Sequence, residues 1–226
     1  MPFTISHAVA ALPFVRTPLP AGAVAIGAMT PDLPLFVSAG HGYGVTHGWP
    51  GLLLVDLPVA LAIFALWRIV ARPVLPGVLP RALGERLPPG WAGSPADGAR
   101  TLWRDRGRSA AATIGGAVLA AVIGILTHIV WDAFTHTGRL GAALPVLDAP
   151  VAGVPVAAWL QYASSALGLA GLVGYALWWF LRHPRTPGAG AGPRSGRAHP
   201  LVLAAFWTTT AALLAIMLVT TARIVL

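Results

Sequence analysis

The sequence predicts an all-α fold, a polytopic bundle of transmembrane helices with about six membrane-embedded segments, and three observations carry that expectation. Only 10% of the 226 residues are charged, against about 25% in a soluble domain, which is too few to cover a water-facing surface. The apolar residues come in blocks, and Gly51 to Val70, Ala110 to Trp131, Val154 to Leu181 and Pro200 to Thr220 each reach the roughly 20 residues that cross a bilayer core. Twelve of the fifteen Arg fall in two stretches, Arg68 to Arg108 and Arg182 to Arg197, the distribution of cytoplasmic loops.

Two further apolar segments, Phe3 to Val15 and Pro20 to Val37, are shorter or interrupted. The first is short enough to be a half-helix or a re-entrant piece, which is how non-spanning backbone is tolerated at membrane depth when it is buried against protein. With both Arg-rich stretches inside, alternation orders the rest. The helix from Gly51 enters from outside and ends at Trp67-Arg68, the helix from Ala110 runs outward to His136, the helix from Val154 returns to Arg182, and the last runs outward to Arg223. Residues 37–50 and 136–150 are then external and Arg16 is internal.

Residues 1–226 read as a single membrane domain. Residues 71–108 form a cytoplasmic loop rich in Arg, Pro and Gly, and residues 184–200 a low-complexity cytoplasmic linker before the last helix. Both read as mobile. No repeat of helix-pair length is visible, so a duplicated transporter architecture has no support.

The net charge of +8 and pI near 11.6 suggest nucleic acid in a soluble protein. Here the Arg-rich stretches lack interleaved aromatics that would stack on bases, and their spacing is explained by topology. The expected partner is therefore the lipid bilayer of the cell membrane, crossed several times, with no nucleic acid. The absence of Cys excludes thiolate ligands, disulfides and Cys nucleophiles. The N-terminus lacks a basic stretch before its apolar residues, and those include His7 and Pro13, so it does not read as a cleavable signal peptide.

The chemistry-bearing residues are few. His183 and His199 lie beside Pro in the linker region, and Glu85, Asp97 and Asp105 sit among Arg, where charge balance accounts for them. The others are His7, Asp32, His41, His47, Asp56, His128, Asp132 and His136, with Asp148 as an outlier. His128, Asp132 and His136 fall at i, i+4 and i+8 of a helix, so neighbours share one side. Ionisable groups in a membrane helix cost a few kcal/mol and face a bundle interior or a cavity, and two ligands one turn apart can chelate one cation. A helix end reaching the headgroups is the plainer alternative, and it explains His136 better than His128. Gly116, Ala120 and Gly124 form a small-residue stripe leading to His128, a packing face that turns His128 toward protein.

Asp32 sits between Pro31 and Pro34, where helical backbone is interrupted, and a capping role competes with ligation there. His41 and His47 flank a Gly-rich external loop, His41 reading as surface and His47 as either surface or ligand. Topology places all of these residues near the same, external side. Asp56, and Gln161 with Ser164 and Ser165, lie at the outer ends of other helices as groups able to orient ligands.

The opening Met1-Pro2-Phe3-Thr4-Ile5-Ser6-His7-Ala8, then Pro31-Asp32, Thr46-His47 and His128-x-x-Trp131-Asp132-x-Phe134-Thr135-His136, resemble a bacterial integral-membrane family classed as a domain of unknown function. The layout is also similar to that of inner-membrane metal-dependent hydrolases of the LexA-binding type. The resemblance covers most of the chain through short motifs, and it implicates His7, Asp32, His47, His128 and Asp132 as metal ligands. Two positions depart from the hydrolase pattern: Leu33-Pro34-Leu35 stands where a second acid is expected, and Gly48 where Ser follows Thr-His.

Three functions remain open on this reading. The first is a metal-dependent hydrolase with a divalent ion, most simply zinc, activating water by lowering its pKa to about 7. Asp132, Asp32 and His136 are its candidate catalytic groups, Asp132 the bridging carboxylate if two ions bind, and a lipid-linked molecule or phosphate ester the substrate. The second is a non-catalytic scaffold with a polar network. The third is a cation or proton transporter, disfavoured by the missing repeat and by clustering at one face.

The topology is testable because the chain has no Cys of its own. In intact cells an impermeant thiol reagent is expected to label Ala143→Cys, and to reach Ser94→Cys only after permeabilisation. The reverse pattern would move the His/Asp site to the cytoplasmic side.

Overall fold

A computed structural model describes residues 4–105 and 107–186, together with Ala204, Trp207, Thr208, Ala211 and Ala215, which are helical. Most of the linker expected over 184–200 and of the helix expected over 200–220, including His199, lies outside the described residues, as do the first three residues of the opening motif. Among the described residues the regular structure is helical apart from one pair of two-residue strands, β1 (Pro150–Val151) and β2 (Val154–Pro155), joined antiparallel.

An N-terminal 3-10 helix over Thr4–Phe14 is followed by α1 over Ala21–Val37, α2 over Trp49–Val78, α3 over Pro95–Trp103, α4 over Ala110–Thr135 and α5 over Val156–Arg182. Three of these, α2, α4 and α5, are long and apolar enough to cross a membrane. The 3-10 helix and α1 are too short for that. At a rise of about 1.5 Å per residue, the 17 residues of α1 extend about 25 Å, short of the roughly 30 Å hydrocarbon core. Helix α1 is also broken, with a 3-10 turn at Thr30–Asp32 separating Ala21–Met29 from Leu33–Val37. Pro31 and Pro34 produce the break, since neither can donate to the helical ladder.

The chain forms two compact units. The first comprises Met1–Leu61 and Ala117–Gly174, and its core contains Val24, Ala28, Leu52, Ala60, Ala120, Ala121 and Ile125, all almost fully buried. Small residues allow the close approach at its centre. A Cβ on Gly27 of α1 would fall on the Ala121 carbonyl oxygen, and one on Gly124 of α4 would fall on the Val24 carbonyl oxygen and the Ala28 nitrogen. Two backbones therefore meet in contact, as small residues permit between membrane helices. Gly116, Ala120, Gly124 and His128 are all buried, so the small-residue stripe is a packing face leading to His128. Gly51 and Gly168 play the same part elsewhere, the first against the Val45 carbonyl and the second against Ser6.

The second unit comprises Ala62–Gly116 and Tyr175–Leu226. Here the segment 71–108, which composition suggests is a mobile loop, is largely helical. Helix α2 continues to Val78, a further turn forms at Arg81–Gly84, and α3 packs against the π-helical turn Trp67–Ala71. Pro95 stands in the first turn of α3, where the missing N–H costs nothing, and Pro73 and Pro76 fall inside α2 just after the π-helical turn Trp67–Ala71. Ser94 and Asp97 close a capping box at the start of α3. The buried Arg68 donates from Nε to the Thr101 hydroxyl at 2.9 Å and from Nη2 to its carbonyl at 3.1 Å, and pairs with Asp105 at 3.1 Å. Arg86 donates to the Phe180 carbonyl at 3.1 Å and lies 4.1 Å from the centroid of its ring.

The contact between α1 and α4 gives a prediction. Gly27→Ala is expected to lower thermal stability in detergent by about 1–3 kcal/mol, because an added methyl overpacks the contact. Gly115→Ala, where a Cβ meets nothing within 4 Å, is expected to be neutral or stabilising through helix propensity. Equal effects at the two positions would refute the close approach.

Candidate metal centre

The first unit brings His7, Asp32, His47, His128, Asp132 and His136 together from four segments of the chain. His7 comes from the N-terminal 3-10 helix, Asp32 from the break in α1, His47 from just beyond the helical turn Tyr43–Thr46, and His128 and Asp132 from successive turns of α4, with His136 following its end. Asp32, His128 and Asp132 have no exposed surface, and His7 is 8% exposed. The separation in sequence reaches 125 positions between His7 and Asp132, so only the packed fold unites them.

Hydrogen bonds fix which atoms face the centre. His128 Nδ1 lies 2.7 Å from the Ala28 carbonyl oxygen, and His47 Nδ1 lies 3.0 Å from that of Tyr43. A carbonyl only accepts, so each Nδ1 carries a proton and donates, and a neutral ring leaves Nε2 with a lone pair. The two Nε2 atoms lie 3.2 Å apart. His128 Nε2 is 3.5 Å from Asp32 Oδ1 and 3.4 Å from Asp132 Oδ2, and His47 Nε2 is 3.7 Å and 3.4 Å from the same oxygens.

These four ligand atoms all lie within 4.8 Å of one another, so Asp32, His47, His128 and Asp132 form a group able to hold a metal ion. The fit can be tested on the edges of the figure. Zinc bonds of about 2.0–2.1 Å in a tetrahedron set ligand atoms about 3.3–3.5 Å apart, and the five separations that involve a histidine run from 3.2 to 3.7 Å. Charge also balances, since two carboxylates and two neutral imidazoles offset one divalent cation. A buried carboxylate without such a partner costs several kcal/mol, and Asp32 Oδ1 has no hydrogen-bond donor. The residues fit a divalent ion.

Around this group, other atoms hold the carboxylates in place. Thr4 donates to Asp32 Oδ2 at 2.6 Å, and Thr46 donates to the Pro31 carbonyl at 2.8 Å, tying the His47 turn to the Asp32 turn. Asp32 makes no side-chain cap on Leu33–Val37, so the capping alternative is not realised. Tyr43 stacks on the His47 ring with centroids 3.8 Å apart and directs its hydroxyl to Asp132 Oδ2 at 3.4 Å. Burial raises the Tyr43 phenol well above its ordinary value, with the Asp132 and Asp32 charges acting the same way, so it stays a donor.

His7 and His136 stand beside the four-atom group. His7 Nε2 is 3.6 Å from Asp132 Oδ1, and both atoms are buried without a hydrogen-bond partner. The His7 ring lies over that of His128, centroids 4.2 Å apart. Asp132 thus presents one oxygen to His47 and His128 and the other to His7. His136 Nδ1 donates to the Asp132 carbonyl at 3.1 Å and lies 3.6 Å from its Oδ2, and its Nε2 faces the Gln161 amide at 3.4 Å. Burial lowers the His136 imidazole from its ordinary value.

The remaining candidates divide. Gln161 touches His136, while Ser164 accepts from Trp131 Nε1 at 3.1 Å and meets no ligand through that bond. His41 is exposed and bonded to the Ser38 carbonyl, and Asp148 accepts from the Gly138 amide. Asp56 is fully buried at the end of a π-helical turn, Leu52–Asp56, and neither carboxylate oxygen has a hydrogen-bond partner. Thr4 and Tyr43 were not among the sequence candidates. Tyr43 precedes His47 by four positions, the spacing of a helical stacking pair, and Thr4 precedes His7 by three, so a local signal existed for each.

No curated protein and no solved structure matches this chain. The family described as Domain of unknown function (DUF4184) matches residues 1–225, from the opening motif through the last expected helix, and the chain belongs to that family.

Proposed function

We propose that this chain is a membrane-embedded, metal-dependent hydrolase whose zinc is held by Asp32, His47, His128 and Asp132. The observation that carries the reading is the convergence of two imidazole lone pairs and two carboxylate oxygens on one buried point. Three helices long and apolar enough to cross a membrane support the setting. In it the segment 200–220 also spans, and the 3-10 helix with α1 supplies two embedded pieces that do not cross fully, giving about six segments in the cytoplasmic membrane. The Arg distribution puts the site toward the extracytoplasmic face.

Bound zinc supplies Lewis acidity and lowers the pKa of water toward about 7. The chain's own groups do the rest. Asp132 Oδ1 and His7 Nε2, both buried without a hydrogen-bond partner, are the groups that would take up a proton or hold a second ion. Thr4 and Tyr43 hold the carboxylate orientations by donating to Asp32 and Asp132. His136, neutral through burial, is a proton acceptor at the rim. Substrates reaching such a site are lipid-linked molecules or phosphate esters.

A second reading rests on the same distances. A doubly protonated His128 between Asp32 and Asp132 would form a buried ion triad, which is the scaffold function. Metal content separates the two. Detergent-purified protein is expected to carry about one zinc per chain, or two if His7 and Asp132 hold another. Asp132→Asn and His128→Ala are expected to lose it. Asn keeps the shape and neutral hydrogen bonding of Asp, so the Asn variant should stay folded by thermal melt while losing metal and activity. Full metal retention in Asp132→Asn would remove Asp132 from the ligand set, and metal-free wild type would favour the scaffold.

A further inference from the structure

A cleft of about 430 Å³ lies in the first unit between the N-terminal 3-10 helix, α4 and α5, a size within the roughly 300–1,000 Å³ of small-molecule sites. Its lining joins Val9, Ala10 and Leu167 to the hydroxyls of Ser6, Ser164 and Ser165. His7 belongs to the lining as well, and its Nε2 lies 3.6 Å from Asp132 Oδ1. One side chain therefore lines an apolar cleft and borders the metal-binding group. The cleft is open on its flank, where Leu167 is 73% and Trp131 42% exposed. Gly168 in the lining, and Gly171 one turn further along α5, let that helix approach the 3-10 helix closely, since a Cβ on the first would meet Ser6 and on the second Val9.

We propose that this cleft holds the apolar chain of an amphiphilic substrate, admitted sideways from the lipid phase, with its polar head directed past His7 to Asp132. The inference rests on the metal-dependent reading above and names its substrate class. A soluble phosphate ester would need no such cleft. An acyl or isoprenoid chain gains on the order of 0.8 kcal/mol per buried methylene, and a buried, nearly dry set of ligands favours a head delivered from an apolar phase over one drawn from water.

The test uses full-length protein in nanodiscs that contain phosphatidic acid carrying a diazirine on one acyl chain. Photolysis is expected to concentrate adducts in peptides from 4–14 and 156–182. Ala10→Trp, which fills the cleft, and Leu167→Asn, which makes an exposed wall position polar, are each expected to cut those adducts about tenfold, equivalent to losing about two buried methylenes. Zinc content and melting temperature should match wild type in both, because neither residue touches the metal-binding group. Adducts spread evenly over all lipid-facing helices, or unchanged in both variants, would overturn the cleft. Confined, variant-sensitive adducts on a protein without metal would support the cleft and overturn the metal reading instead.

Discussion

The rest of the first unit depends on the burial of two carboxylates, Asp32 and Asp132, beside two imidazoles whose protons point away from the centre. Each Nδ1 is committed to a backbone carbonyl, and the lone pairs and negative oxygens that remain face one another over 3.2–3.7 Å. Lone pairs and carboxylate oxygens at this range repel one another, and more strongly in a low-dielectric interior than in water. A positive charge at their centre converts that repulsion into attraction. A divalent cation at the centre, or a second proton on His128, would balance the two carboxylates.

Packing around the centre follows from this constraint. The Ala28 carbonyl that orients His128 arrives at 2.7 Å because Gly27 and Gly124 let α1 and α4 touch backbone to backbone. The break in α1 at Thr30–Asp32 turns Asp32 inward, and Thr46 fastens the His47 turn to it through the Pro31 carbonyl. Gly51, against the Val45 carbonyl, allows the chain to fold back tightly enough to enter α2. Glycine and proline, weak elements of a helix taken singly, here set the positions of the clustered His and Asp side chains.

Much of this was legible in the sequence where a local pattern carried it. The i, i+4 spacing of His128 and Asp132 and the small-residue stripe before them predicted a face turned inward to protein, and that face is buried. The prolines around Asp32 predicted an interrupted helix, and the interruption is there. Two kinds of feature were not legible. The Arg-, Pro- and Gly-rich residues 71–108 read as mobile because composition does not distinguish a proline in a loop from one in a first helical turn. It also does not reveal that Arg68 meets Thr101 and Asp105. The contacts of Thr4 with Asp32 and of the Ala28 carbonyl with His128 depend on tertiary approach, which no local spacing encodes.

The central claim is a metal bound by two imidazoles and two carboxylates. X-ray absorption at the zinc edge of the purified protein tests it most directly. About four nitrogen and oxygen neighbours at 2.0–2.2 Å are expected, with outer-shell scattering from two imidazole rings and loss of one ring's contribution in His47→Ala. A spectrum with six equivalent oxygen neighbours and no imidazole scattering, or one unchanged by His47→Ala, would contradict it.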